Sequence, residues 1–191
     1  MQWKTTSLVL MLAAALPGGV LVKSTAVPAN LEVPAGHSAY LTTHAEGTQN
    51  YVCVLAGEGF GWQFFGPQAT LFGDGAQQVA THFLSPNPDE TGVARATWQH
   101  STDTSAVWAA AVANSSDPAF VAPGAIPWLL LKAVGSQPGP GFGNSLSATT
   151  YIQRVNTAGG VAPSPGCRSA RDAGKKALVP YSTDYIFYKA E

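Results

Sequence analysis

Histidine and carboxylate side chains are the groups in this chain best suited to proton transfer or metal binding, and only four histidines are present. His82 falls in a strand-like segment, whereas His100 and Asp103 lie close together around a polar turn. Imidazole and carboxylate groups that converge can bind a metal ion or act as an acid and base pair. These three residues are therefore candidates for catalysis. The spacing matches no recognisable metal motif, so we predict no bound metal, and a hydrogen-bonded structural histidine is the ordinary alternative.

Tryptophan side chains offer a second kind of chemistry, the stacking of an indole on a flat or sugar-like ligand. Trp62, Trp98 and Trp108 are the candidates for such a ligand-binding surface. Buried in the core, the same residues would serve only as packing material, which is the usual role of large aromatic side chains. The sequence leaves both roles open.

The two cysteines, Cys53 and Cys167, form an even set in a chain that we expect to be exported. An oxidising compartment favours a disulfide between them over a free catalytic thiol, which would need a basic neighbour to lower its pKa. We therefore predict a Cys53–Cys167 bridge.

Export is predicted by the first 26 residues. Lys4 gives a positive start, an apolar stretch follows over 8–16, and Ser24-Thr25-Ala26 forms a small-residue cleavage site ahead of Val27. The apolar stretch is too short for a membrane span. We expect a signal peptide over 1–26, a single β domain over 27–191, and a secreted, cell-surface or periplasmic protein.

The charge balance argues against a nucleic-acid partner. The whole chain has a net charge of −1, and loss of Lys4 and Lys23 with the signal makes it more negative. No basic cluster accompanied by aromatic residues is present. Asn114, in Asn114-Ser115-Ser116, is a glycosylation candidate if the host exports through an endoplasmic reticulum.

Short strand-like segments separated by glycine and proline must position all of these residues. Period-two patterns, with hardly any helical periodicity, predict an all-β fold of roughly ten short strands with long loops. We favour a jelly-roll-like β-sandwich, with a closed β-barrel as the alternative. The predicted strands are 38–43, 49–55, 62–65, 69–72, 78–83, 93–99, 106–112, 127–134, 151–156 and 184–189.

Arg154 lies on the strand face that also carries Ile152, so we expect its guanidinium to be partly buried and to need a partner. Asp184, at the start of the closing strand, is the acid that we favour. The prediction is a structural ion pair between Arg154 and Asp184.

Several motifs together resemble a known family. They are Gly47-Thr48-Gln49-x-Tyr51-x-Cys53, Ile152-Gln153-Arg154-Val155-Asn156-Thr157-x-Gly159-Gly160-x-Ala162-Pro163-x-x-x-Cys167 and Val179-Pro180-Tyr181-x-x-Asp184-Tyr185-x-Phe187-Tyr188. The pattern resembles a family of secreted bacterial and fungal proteins classified as a domain of unknown function, and the resemblance spans the mature chain. It implies no established activity.

Some members of that family carry a malate dehydrogenase label. The sequence does not support this label, because the glycine-rich segment at 139–143 lacks the spacing and the strand-to-helix context of a nicotinamide site. We predict no cofactor.

The leading hypothesis is a non-catalytic binding module for an extracellular ligand, with a glycan as one candidate. The alternative is an extracellular enzyme or metal-binding protein that uses His82, His100 and Asp103. The sequence does not indicate an oligomeric state.

Overall fold

The sheet closes on itself because its first strand pairs with its last. The computed structural model describes residues 26–191. Its strands are β1 (His37–Ala56), β2 (Gly59–Phe72), β3 (Gln78–Asn87), β4 (Val93–His100), β5 (Ala106–Ser115), β6 (Trp128–Gln137), β7 (Thr149–Gly159) and β8 (Lys176–Ala190). Each strand pairs antiparallel with the next, and β8 pairs with β1, which completes a closed barrel. Short 3-10 helices occur at Ala29–Leu31, Pro88–Glu90 and Ala170–Asp172, and residues 26–191 contain no α-helix.

The all-β fold and the barrel alternative are confirmed, whereas the preferred sandwich is not. The predicted strands were also too short and too many. The segments expected at 38–43 and 49–55 form one continuous strand, β1, and those expected at 62–65 and 69–72 form β2. Both errors come from the assumption that a glycine ends a strand.

Gly47 does not turn the chain but allows two strands to approach closely. It lies within β1 opposite Ala69 of β2, and a Cβ at this position would overlap the carbonyl oxygen of Gln68. In β2, Gly66 and Phe64 pair with the consecutive residues Asn50 and Tyr51, so the residue between them forms a bulge. A bulge bends a strand without ending it, and strand bending helps a sheet to close.

The barrel interior is packed with a mixture of very large and very small side chains. Trp98, Tyr185 and Phe187 are fully buried there. Several strands instead contribute alanine to the same core: Ala45, Ala69, Ala80 and Ala109. Inward-facing side chains fill an eight-stranded barrel only when they are large enough, so runs of alanine leave space inside.

A second apolar cluster lies outside the barrel wall. The N-terminal arm places Leu31 against outward-facing residues of β6, β7 and β8, namely Trp128, Leu130, Val155 and Ile186. Gln153 fixes the arm, since its Nε2 donates to the Leu31 carbonyl (2.7 Å) while its Oε1 accepts from the Tyr188 hydroxyl (2.6 Å). The arm therefore covers an apolar patch on the outer face of the wall.

The predicted disulfide between Cys53 and Cys167 is confirmed. It attaches the long segment between β7 and β8 to β1. Backbone hydrogen bonds from Cys53 to Lys175 and from Gly174 to Cys53 support the same attachment. The bridge joins residues 114 positions apart, so it constrains most of the chain.

Two predictions concern the signal peptide and membrane-spanning helices. The predicted signal peptide, 1–26, lies outside the described residues except for its last position. Over residues 26–191 no helix is long and apolar enough to cross a membrane.

Candidate functional site

An open cavity of about 250 Å³ lies at one end of the barrel. It forms where two strand ladders separate: β2 and β3 stop pairing beyond Ala69 and His82, and β4 and β5 stop beyond Ala96 and Ala109. Its polar lining consists of Gln49, His82, Trp98, Arg95, Arg154 and Tyr185. Alanines of β4 and β5, with Leu129 and Leu131 of β6, form an apolar wall. We call this space the inner cavity.

The opposite end of the barrel is closed by the loop between β6 and β7. Leu146 of that loop is fully buried in the inner core. The Asp103 carboxylate holds the loop, because it accepts hydrogen bonds from the Ser145 backbone N–H (2.9 Å) and from the Ser105 backbone N–H and hydroxyl (2.9 and 2.7 Å). Burial alone would raise the pKa of Asp103, but these hydrogen bonds hold it well below its usual range.

Polar atoms without hydrogen-bond partners lie on three residues that line the inner cavity and on one residue beside it. The Trp98 Nε1, the Gln49 Nε2 and the Tyr185 hydroxyl are buried without a well-aligned hydrogen-bond partner. The same is true of the hydroxyl of Tyr181, which lies four residues before Tyr185 on the same face of β8 and is directed toward Tyr185 and Gln49. These side chains belong to residues that are at most 4% exposed. Buried polar groups in folded proteins almost always have partners, so these donors are available to water or to a ligand in the cavity. Three further unpaired atoms, the Nε1 of Trp62, the Nε1 of Trp128 and the Ser147 hydroxyl, belong to residues that do not line it.

Arg154 brings a positive charge to the cavity wall. Its Nε and Nη2 both donate to the Pro127 carbonyl (3.2 and 2.8 Å). A guanidinium has five N–H groups, so this single carbonyl leaves donors free. Among residues 26–191, no carboxylate lies within salt-bridge distance of Arg154.

His82 is buried and stacked on Trp98, with ring centroids 4.2 Å apart. Burial lowers the pKa of His82 to about 3, with a further lowering contribution from the nearby Arg154 charge. The ring is therefore neutral, and its Nδ1–H donates to the Thr97 carbonyl (2.9 Å). That bond leaves Nε2 as the unprotonated nitrogen.

The electrostatic balance of the inner cavity is positive. No aspartate or glutamate of the described chain lines it, while Arg95 and Arg154 do. Arg95 is already neutralised by a two-point pairing with Glu90 (2.8 and 2.7 Å). Hydrogen bonds from Arg95 and Asn87 lower the pKa of Glu90 to about 2. Arg154 therefore provides the unbalanced charge.

The structure separates the three residues predicted for catalysis. His100 Nδ1 lies 3.0 Å from Asp103 Oδ1, but both residues belong to the turn at the closed end of the barrel. His82 lines the inner cavity instead. Over residues 26–191, no group of three or more His, Cys, Asp and Glu residues is arranged to bind a metal ion.

The three tryptophans do not form one surface. Trp98 is fully buried in the barrel, and Trp108 is buried on the other face of the sheet, where its Nε1 donates to Ser85 (2.8 Å). Trp62 is partly exposed and pairs across β1 and β2 with Cys53, near the disulfide. Trp98 alone lines the inner cavity.

The ion pair between Arg154 and Asp184 is not formed, so this prediction was wrong. Arg154 lies opposite Tyr185 in the β7–β8 ladder, and directly paired residues share a face of the sheet. Asp184 therefore points to the other face. There it contacts His44 Nδ1 (2.8 Å) and accepts a hydrogen bond from Asn156 (2.8 Å).

Sequence reasoning did not identify Gln49, Tyr181 and Tyr185 as site residues. The available signal was their position in the motifs Gly47-Thr48-Gln49 and Val179-Pro180-Tyr181-x-x-Asp184-Tyr185. Only the register of β8 against β1 and β7 directs them to one space. Asn114, the glycosylation candidate, is exposed near the end of β5.

One protein-family model covers both the barrel and its site residues. A family described as "Protein of unknown function (DUF3455)" matches residues 34–189, which include all of the inner cavity. The chain belongs to the DUF3455 family. The family description carries no activity. No curated protein and no solved structure matches this DUF3455 chain.

Proposed function

We propose that this DUF3455 protein is a secreted, non-catalytic binding protein that takes a small organic molecule into the inner cavity. The observation that carries the proposal is the set of unpaired, buried donors on Gln49, Trp98, Tyr181 and Tyr185. An unsatisfied buried polar group costs about 1 to 3 kcal/mol, so several in one place destabilise the barrel when neither water nor a ligand pairs with them. A ligand that accepts their hydrogen bonds would offset this cost.

The dimensions of the cavity support a small ligand. A volume of about 250 Å³ is just below the range of roughly 300 to 1,000 Å³ that is typical of pockets for drug-sized molecules. Apolar walls with a few convergent polar groups are also the usual composition of such sites. A polysaccharide chain bound along an exposed indole surface is less well supported, because Trp98 and Trp108 are both buried.

The geometry favours binding over the alternative of an extracellular enzyme. Asp103 is fully engaged in holding the loop at the closed end of the barrel, and His100 lies beside it rather than beside His82. Proton transfer between these groups would need them within hydrogen-bond reach of one substrate.

Action outside the cytosol is supported by the disulfide. A structural bridge such as Cys53–Cys167 forms and persists in oxidising compartments and is rare in cytosolic proteins.

A matched panel of small molecules tests the proposal. Benzoate, benzamide, benzylamine, hexanoate and hexanamide would be titrated into the protein while Trp fluorescence and the melting temperature are followed. We expect at least one compound to bind in a 1:1 ratio, and to change the emission of Trp98.

Variants locate the binding. Ala109→Leu adds bulk inside the inner cavity and should abolish binding, whereas Val112→Leu adds bulk on the exposed face of the same strand and should not. Ala96→Leu fills the same space from β4 and replaces Ala109→Leu if that variant does not fold. Absence of binding by every compound, or unchanged binding by a folded cavity-filling variant, would refute the proposal.

A further inference from the structure

We infer that the ligand of the inner cavity is a small organic anion, a carboxylic acid with a compact apolar body, whose carboxylate is bound by Arg154 and Tyr185. This inference rests on the proposed function and specifies its ligand class. It is supported by three features of the site: its charge, the donor character of its unpaired polar atoms, and its size.

The charge of the site favours an anion. Arg154 is partly buried and contacts a neutral carbonyl, so no group in residues 26–191 that lines the cavity compensates its charge. A buried charge without a counter-ion is costly, and a bound carboxylate would supply the counter-ion. Arg is also the side chain whose planar, forked donors match the two oxygens of a carboxylate.

The buried unpaired atoms of Trp98 and Gln49 are donors, whereas the unprotonated Nε2 of His82, which also lines the cavity, is an acceptor. An indole N–H and an amide NH₂ only donate, and these are the unpaired atoms of Trp98 and Gln49. Burial raises the pKa of both Tyr181 and Tyr185, so their hydroxyls keep their protons at neutral pH. An ionised carboxylate only accepts hydrogen bonds, which makes it complementary to this set.

The size and walls of the cavity limit the rest of the molecule. The volume corresponds to about eight water molecules at ~30 Å³ each, which suits a single ring or a short aliphatic chain. Alanine side chains and Leu129 and Leu131 face this space and offer no hydrogen bonds. A polar body, such as a sugar, would leave its own hydroxyls unpaired against that wall.

The test compares molecules of equal shape and different charge. Isothermal titration with benzoate, benzamide and benzylamine, and with hexanoate against hexanamide, would be done on the wild-type protein. We expect each acid to bind at least about tenfold more tightly than its amide. Benzylamine should bind more weakly than both benzoate and benzamide.

Two charge variants separate the site from a general electrostatic effect. Arg154→Met should weaken benzoate binding about tenfold or more while leaving benzamide binding within about twofold. Lys132→Met removes an exposed positive charge from the outer face of β6 and should leave both affinities unchanged. Tyr185→Phe should weaken benzoate binding to a smaller extent, because it removes one neutral donor.

The outcomes distinguish the two claims. If an amide or the amine binds as tightly as the acid, and Ala109→Leu blocks that binding, the cavity binds ligands but the anion inference is wrong. The inference also fails if Arg154→Met weakens benzoate and benzamide equally in a protein with unchanged circular dichroism. If no compound binds, the proposed function fails together with the inference.

Discussion

Arg154 of β7 and Tyr185 of β8 are directly paired across the sheet, and both face the inner cavity. Their neighbours in the same ladder, Val155 and Asp184, are paired on the outer face. A shift of one residue in this register would exchange the two pairs. The arginine would then lie outside the barrel, and the cavity would lose its charge.

Arg154→Met should lower the free energy of unfolding by about 1 to 3 kcal/mol, the cost of losing its hydrogen bonds to the Pro127 carbonyl, and by no more. The reason is that Arg154 forms no ion pair in the described chain, so its removal strands no buried carboxylate, whereas the loss of one partner of a buried ion pair costs about 3 to 5 kcal/mol. Urea unfolding of Arg154→Met, Asp184→Leu and the double variant would measure this. The two effects should add, and a coupling above about 1 kcal/mol would show that the residues interact after all.

His82 should stay neutral throughout the physiological pH range. Its folded pKa is lowered from 6.5 to about 3, so the stability it contributes is present above pH 6.5 and is lost as the pH falls towards 3. In that window the unfolded chain takes up a proton that the folded protein does not, which reduces stability by up to about 1.4 kcal/mol per pH unit.

The measurement is the pH dependence of unfolding in wild type and His82→Phe. The variant should lose this part of the slope between pH 6.5 and pH 3, while the two slopes should agree between pH 7 and pH 8, where neither state binds the proton. Equal slopes at acidic pH would contradict the prediction, as would an NMR titration of the His82 ring near pH 6.5.

Asp103→Ala should open the closed end of the barrel by releasing the loop that carries Leu146. It removes an acceptor for Ser105 and Ser145, and hydrogen bonds to a charged group contribute about 1.5 to 3 kcal/mol each. The folded pKa is lowered, so this contribution is present above about pH 4 and declines as the pH falls.

Hydrogen exchange at the amides of Ser145 and Leu146 would report this opening. Exchange should become faster in Asp103→Ala and remain unchanged in the control Asp74→Ala, which alters an exposed acid in the β2–β3 turn. Unaltered exchange at Leu146 in Asp103→Ala would show that other contacts hold the loop.

Gly47→Ala should destabilise the barrel by about 1 to 3 kcal/mol or more, because the new methyl group would overlap the Gln68 carbonyl and force β1 and β2 apart. Gly59→Ala is the matched control, since nothing lies within 4 Å of its added Cβ. Thermal unfolding should show a large loss for the first and almost none for the second. Similar melting temperatures for both variants would mean that Gly47 occupies an ordinary strand position.

The sequence by itself determined the class of the fold and its covalent link. Alternating residues such as Tyr51, Cys53 and Leu55 predict strands because side chains alternate across a sheet, and an even number of cysteines predicts a disulfide in an exported chain. The apolar segment at 127–134 and the segment around Ile152 were correctly identified as strands, the first because it is a short apolar run and the second because it is rich in Tyr, Ile, Val and Thr.

Local pattern could not distinguish a turn glycine from a glycine at a close contact. A glycine at position 47 is compatible with both roles. Only the position of Gln68 on the neighbouring strand shows that Gly47 lies at a close contact. For this reason β1 was divided in two and the number of strands was overestimated.

The candidate site was decided by tertiary structure alone. His82, Arg154 and Tyr185 come from β3, β7 and β8, and they meet because β8 returns to pair with both β7 and β1. Pairing with β1 closes the sheet, and pairing with β7 in its observed register turns Arg154 inward and Asp184 outward. Register depends on contacts between strands far apart in sequence, so residue types along a single strand do not specify it.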